Sequence, residues 1–221
     1  MTWTPPPADP PPGHREGDVP PMTMSSAAWS EAWNDARWLN APARAWYDNS
    51  DLVVEALEGS DFWRTTAYDF VHDSGHALLV AFPELMAVEV RFMLDYTQQF
   101  DQAGVLVRAD EEMWIKAGVE VSDGAPQLGA VVTNGMSDWS ISPVPGWQGR
   151  DVTMRVSLST NALTVRARVD SEPWQLVRVA PLPARRALFV GPYCCAPTRA
   201  GLLVRFRGAV LNAPDQSLHP A

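Results

Sequence analysis

Apolar and polar positions alternate with a period of two through the middle of the chain. Val88, Val90, Phe92, Leu94 and Tyr96 alternate with Glu89, Arg91, Met93 and Asp95. Met113, Ile115, Ala117, Val119 and Val121 alternate with Trp114, Lys116, Gly118 and Glu120. Val152, Met154, Val156 and Leu158 form another such set, and so do Leu163, Val165, Ala167 and Val169. Successive side chains of a strand point to opposite faces, so each set predicts a strand with one face in a core. Further strands are predicted over 77–82 and 103–109. Turn residues separate the runs, as in "SDGAP" from Ser122, "TNGMSD" from Thr133, "PVPGWQGRD" from Pro143 and "DSEPW" from Asp170. The core region carries no helical period of ordinary length. Short strands at regular spacing predict an all-β sandwich or barrel.

The chain has 221 residues, which suits one large all-β domain. Eight of the 20 prolines precede Thr23. Residues 1–31 are therefore expected to be a proline-rich disordered segment, with a short helical turn over 27–33. The folded domain is expected over 32–212, followed by a loose polar tail at 213–221.

The net charge of -9, with no Lys/Arg cluster to offset it, argues against nucleic acid as a partner. No apolar run approaches the length of a membrane span, so no membrane partner is expected. The start of the chain lacks a basic stretch followed by an apolar one, and so does not read as a secretory signal. Cys194 and Cys195 are adjacent, and geometry disfavours a disulfide between neighbours. Reduced thiols and no signal predict a cytoplasmic protein.

Ten tryptophans in this length raise the prospect of a binding face, because the indole buries a large area while its N–H seeks a partner. The strand 112–121 is the most informative segment. Its polar-side face reads Trp114, Lys116, Gly118, Glu120. A large aromatic, a cation, a gap and a carboxylate share one side. Lys116 and Glu120 are the acid/base candidates, and Trp114 is a stacking platform. Gly118 leaves room for a ligand or for close backbone approach. Residues four apart on a strand are about 13 Å apart, so Lys116 and Glu120 are not expected to pair directly. Asp101 and Gln102 offer hydrogen bonds to hydroxyls, or cap a turn. Asn134, Asp138 and Trp139 lie on a predicted loop, although Asn-Gly is also a hairpin turn. Arg64, beside Trp63, is an anion-site candidate with a structural ion pair as the alternative. His72 and His76 have a spacing that suits metal ligands on a helix, but "DSGH" reads as a turn, so no metal is expected. No nucleophile elbow, zinc-protease, phosphate-loop or dinucleotide motif occurs, and no cofactor is expected.

Four segments together resemble a known family. They are "WLNAPARAW", "SDFWRTTAYDFVHDSGHALL", "QFDQAGVLVRADEEMWIKAGVEVSDGAPQLGAVVTNGMSDWS" and "VGPYCCAPTRAGLLVRF". The run from Trp38 to Phe206 is similar to the regulation-of-enolase-like family, a domain of unknown function in the concanavalin A-like lectin/glucanase superfamily. The resemblance implies a concanavalin A-like jelly-roll sandwich of two antiparallel sheets with a concave face. Its signature residues fall here on Asp61, Phe62, Trp63, Arg64, Asp101, Gln102, Gly104, Trp114, Lys116, Gly118, Glu120, Asn134, Asp138, Trp139 and Arg199. The expectation is a carbohydrate or other polar small molecule bound on the concave face by Arg64, Asp101, Gln102, Trp114, Asn134, Asp138 and Trp139. Two alternatives stand beside it. One is a small cytosolic hydrolase, lyase or isomerase using Lys116 and Glu120. The other is a regulatory scaffold for a protein partner.

Overall fold

The computed structural model describes residues 28–182 and 186–219. The proline-rich segment falls almost wholly outside them. The front sheet runs in the order β1 (Arg37–Leu39), β6 (His76–Ala81), β15 (Phe189–Cys195), β8 (Gln102–Arg108), β9 (Met113–Ser122), β10 (Ala125–Asn134), β11 (Met136–Pro143). The back sheet runs β14 (Gln175–Pro181), β13 (Ala162–Val169), β12 (Asp151–Leu158), β7 (Ala87–Met93), β16 (Leu203–Asn212), β3 (Asp51–Glu55), β2 (Arg44–Asp48). Every ladder within the two sheets is antiparallel. The architecture is the concanavalin A-like jelly-roll sandwich. A separate hairpin, β4 (Phe62–Arg64) with β5 (Val71–Asp73), completes the set.

The alternating runs explain the core. Val88, Val90 and Phe92 of β7, Val152, Met154 and Val156 of β12, and Leu163 and Val165 of β13 face Val105, Ile115, Ala117 and Val119 of the front sheet. Each buried side chain of this size contributes about 1.5–3 kcal/mol. The folded unit starts earlier than 32. Trp29 is 2% exposed, packs edge-to-face on Trp33, and bridges to Ala209. The predicted helical turn is a short 3-10 helix over Glu31–Asp35.

The C-terminal stretch read as loose is tied to the back sheet's outer face. Asp215 pairs with both Arg155 and Arg166, and its N–H donates to Ser157 Oγ. No helix among the described residues is long and apolar enough to cross a membrane.

The other face of the front sheet is not an ordinary solvated exterior. Phe62, Leu79, Leu106, Trp114, Tyr193 and Cys195 form a second buried cluster there. The β4–β5 hairpin covers it. This second layer, outside the sandwich core, positions the site.

Candidate functional site

Directly opposed residues of neighbouring strands share a face, so the register arranges the front sheet's outer face in rows. One row reads Cys195, Gln102, Glu120, Gln127. The next reads Tyr193, Gly104, Gly118, Gly129, Ile141. The third includes Leu106, Lys116, Val131 and Trp139. The fourth includes Arg108, Trp114, Thr133 and Ser137. The hairpin covers the fourth row: Phe62 stacks at a tilt on Trp114, 5.8 Å between centroids. Towards the opposite end Cys195, Gln102 and Gln127 are buried, while Glu120 is half-buried and Trp139 and Ile141 are exposed at the β11 edge.

Three adjacent glycines make a floor on this face. At Gly104 and Gly118 the reason is close backbone approach. A Cβ on Gly118 would lie 2.1 Å from the Ala103 carbonyl oxygen, and one on Gly104 2.1 Å from that of Ala117. The missing side chains also leave a lane. Lys116 stands opposite Leu106, yet its Nζ donates to Gln102 Oε1 at 2.8 Å, two rows away. Its stem therefore crosses the Gly104–Gly118 row, an apolar path that a long cationic side chain can follow. The ammonium ends on Asp61 Oδ1 at 3.0 Å, and Gln102 Nε2 donates to the same oxygen at 3.3 Å. Lys116 is only 4% exposed. Burial opposes its charge, but the Asp61 carboxylate and further nearby groups outweigh that and hold its pKa above the ordinary lysine value. It is a fixed cation rather than a base.

Glu120 has no such partner. It stands directly opposite Gln102 on one side and Gln127 on the other. No hydrogen bond or ion pair reaches its carboxyl from the described residues. Burial pushes its pKa up to about 7, against the pull of the Lys116 ammonium and with added repulsion from Asp61 and Asp123. Tyr193, 4% exposed, likewise has a hydroxyl without a partner among the described residues. Burial raises its pKa well above the usual phenol value. Both groups line one small, half-open cleft, together with Lys116, Gln127, Trp139 and Ile141 over the glycine floor. The cleft thus presents a carboxyl, a hydroxyl, an amide and an indole wall.

The residues expected at the site divide into several groups. Lys116, Glu120 and Trp139 line the cleft. Gln102 holds Lys116 from beneath. No direct Lys116–Glu120 pair forms among the described residues, yet the Lys116 stem carries its ammonium into Glu120's row, so the two charges interact more closely than the strand spacing alone allows. Trp114 is 2% exposed and packed beneath Phe62, so it offers no stacking face. Arg64 is a structural clamp. It reaches Gly135 O at 3.1 Å and Glu112 at 2.9 Å, and its N–H donates to Ser137 Oγ at 3.0 Å. Asp101 is fully buried and gripped by Arg199 Nε at 3.1 Å. Asn134 ends β10 at the β10–β11 turn, where Gly135 has φ +77°, and lines no part of the cleft. Asp138 points away from it and pairs with Arg178 at 2.8 Å. Asp61, Gln127 and Tyr193 were not singled out as ligand-facing. Register across strands brings Gln127 and Tyr193 to the cleft, and Asp61 reaches Lys116 from the segment before β4; one strand's pattern carries neither meeting.

The remaining chemistry-bearing groups are structural. His76 is buried, accepts from the Leu57 N–H at 3.0 Å, and has its pKa lowered by burial. Cys194 and Cys195 are free and buried in β15, and burial pushes both thiols up, away from reactivity. Among the described residues no group of three or more His, Cys, Asp and Glu is placed to hold a metal.

Comparison with known proteins follows the same lines. Residues 38–214 match the family described as "Protein of unknown function (DUF1349)". A Saccharomyces cerevisiae protein named Regulation of enolase protein 1 is 42% identical over 183 residues, 82% of this chain and 92% of its own. A solved structure of a functionally unknown Saccharomyces cerevisiae protein superposes with TM-score 0.77 at 40% identity, covering 82% of this chain and 98% of that one. A xylan beta-1,4-xylosidase from Bacillus halodurans shares the fold alone: TM-score 0.58 at 16% identity, over 75% of this chain and 35% of that one. With the alternating strands, the glycine-floored face and these matches together, the chain belongs to the DUF1349 family.

Proposed function

We propose that the protein binds a neutral carbohydrate or similar polyhydroxylated metabolite in the cleft bounded by Glu120, Tyr193, Gln127 and Trp139. One observation carries this reading. Glu120 is half-buried and Tyr193 4% exposed, and the carboxyl and the hydroxyl face one cleft with no hydrogen-bond partner among the described residues. Two polar ends with unused hydrogen-bonding capacity at one cleft favour a guest that completes them. A hydroxyl both donates and accepts, which suits a carboxyl titrating near neutrality. Trp139, 37% exposed, gives the apolar face of a sugar ring a wall. With Lys116 held by Asp61, no free cation among the described residues lines the cleft to recruit an anion.

A second reading draws on the same carboxyl. A Glu titrating at about 7 suits general acid/base work at neutral pH, which makes Glu120 the proton carrier and Lys116 its fixed electrostatic neighbour. The test for binding is a thermal-shift screen of the full chain against neutral monosaccharides, polyols and sugar acids. A ligand at about 100 times its Kd adds roughly 2.7 kcal/mol. A neutral sugar that stabilises the wild type and not Trp139→Ala supports the reading. A screen in which only anions stabilise the protein refutes it. Turnover of the bound sugar, abolished in Glu120→Gln, selects the enzymatic form.

A further inference from the structure

The indole wall of the cleft is the first member of a longer row of rings. Trp139 meets Trp63 edge-to-face at 6.1 Å, and Trp63 meets Tyr68 at 5.7 Å. Tyr68 stacks on Phe70 at 5.3 Å with only 14° between planes, and Phe70 meets His72 at 4.6 Å. The row thus runs unbroken from the cleft to the β4–β5 hairpin. Trp63 is 8% exposed and anchored by its Nε1 donating to Thr66 O at 2.9 Å. The rings beyond it are in water: Tyr68 is 58% exposed and Phe70 40%.

The hairpin tip holds these rings in place at a conformational cost. Thr65, Ala67 and Asp69, none of them glycine, have φ of 63°, 66° and 57°. Such backbone persists only where its surroundings over-determine it. Here the tip closes on itself, with the Thr65 N–H donating to Phe70 O at 2.7 Å and the Asp69 N–H to Thr65 O at 2.8 Å. Core packing does not account for two large aromatic rings presented to solvent on a strained turn. Contact with something outside the chain does.

We infer that Tyr68 and Phe70 extend the cleft into a line of subsites for a linear, neutral oligosaccharide whose end unit sits against Trp139. This inference rests on the carbohydrate reading of the cleft. Three features favour this occupant. The row is continuous with a cleft whose Glu120 carboxyl and Tyr193 hydroxyl have no partner among the described residues and suit a hydroxylated guest. Its rings carry polar edges, the Tyr68 hydroxyl and the Trp139 and His72 nitrogens, which suit a ligand with apolar faces and hydroxylated rims. The net charge of -9 opposes an anionic polymer. A proline-rich peptide also stacks on aromatic rows, but it has no hydroxyls for the cleft.

The experiment is calorimetric titration of the full chain with xylose and glucose, then with their β-1,4-linked trimers and hexamers. Affinity is expected to rise with length, by about threefold to tenfold for each exposed ring engaged. Tyr68→Ala and Phe70→Ala, both surface changes, should abolish that rise and leave monosaccharide affinity intact. Trp139→Ala should weaken every length. Monosaccharides that bind as tightly as hexamers, or hexamer affinity unmoved in both hairpin variants, overturn the inference and leave the cleft reading standing. Failure of every sugar overturns both. A peptide of residues 1–22 that binds in a Tyr68- and Phe70-dependent way assigns the row to a proline-rich segment and overturns the inference.

Discussion

Replacing Glu120 with glutamine removes a titrating group while keeping its size, and so tests whether the cleft carboxyl is held against its own ionisation. Its pKa rises from 4.5 to about 7, chiefly through burial. At about 1.4 kcal/mol per pH unit, that amounts to about 3 kcal/mol of penalty on the ionised form. The sign follows from proton counting. Between pH 4.5 and 7 the native state binds more protons than the unfolded chain, so stability falls as pH rises through this window. Below it both states are protonated, and above it both are ionised. Glutamine is neutral throughout. The variant should therefore match the wild type near pH 4 and exceed it by about 2–3 kcal/mol at pH 8.

His76, whose pKa burial lowers, also affects stability over this range, but it is common to both proteins and cancels in the difference. The assay is urea denaturation of both proteins from pH 4 to 8, with equal m-values required. In a domain of this size about 3 kcal/mol corresponds to roughly 6–12 °C in Tm at pH 8. A constant difference across the pH range, or a wild type more stable at pH 8, would refute the claim that Glu120 ionises against its environment. A more stable variant that no longer binds sugar would be the stability–activity exchange expected of a working site.

Other perturbations separate the site from its supports. Asp61→Asn strands the buried Lys116 charge and should cost about 3–5 kcal/mol in urea unfolding, whereas Asp61→Asn with Lys116→Met should recover most of it. Gly118→Ala drives a methyl into the Ala103 carbonyl and should destabilise by about 1–3 kcal/mol or more, read as a lower urea midpoint. Trp114→Ala should cost about 3–5 kcal/mol because that ring is buried; Trp139→Ala, more than a third exposed, should cost under about 1 kcal/mol and still abolish ligand stabilisation.

The core was legible in the sequence because burial on one face writes itself as period-two alternation. The runs through Val88, Ile115, Val152 and Val165 all became core strands. Strand β15 was harder, because "FVGPYCC" is buried on both faces and so loses its alternation. The site was legible only in part. Trp114, Lys116, Gly118 and Glu120 do share one face, but two of the four serve the structure beneath the hairpin and floor. Asp61 finds Lys116 across 55 positions of chain, and Tyr193 enters the cleft from a distant strand. Such meetings depend on cross-strand register, which no single segment encodes.

The hairpin explains why carboxylates that resemble ligand-binding residues are instead structural. Asp61 precedes β4, and Asp73 ends β5 directly opposite Phe62. Each captures a buried cation rising from the front sheet: Asp61 takes Lys116, and Asp73 takes Arg108 through two bonds of 2.6 and 2.7 Å. Buried ion pairs add little net stability, because desolvation offsets their attraction. They do penalise misplacement heavily, since a shift of the hairpin by one residue strands both cations. The pairs therefore fix where the hairpin sits rather than how firmly the domain folds. Its position in turn decides how much of the sheet's outer face is covered. Among the described residues no cation captures Glu120, which is half-buried at the cleft. The Lys116–Asp61 pair and the unpaired Glu120 carboxyl thus sit side by side on one face, and the stretch from Glu120 to Trp139 that the hairpin leaves uncovered is where the cleft lies.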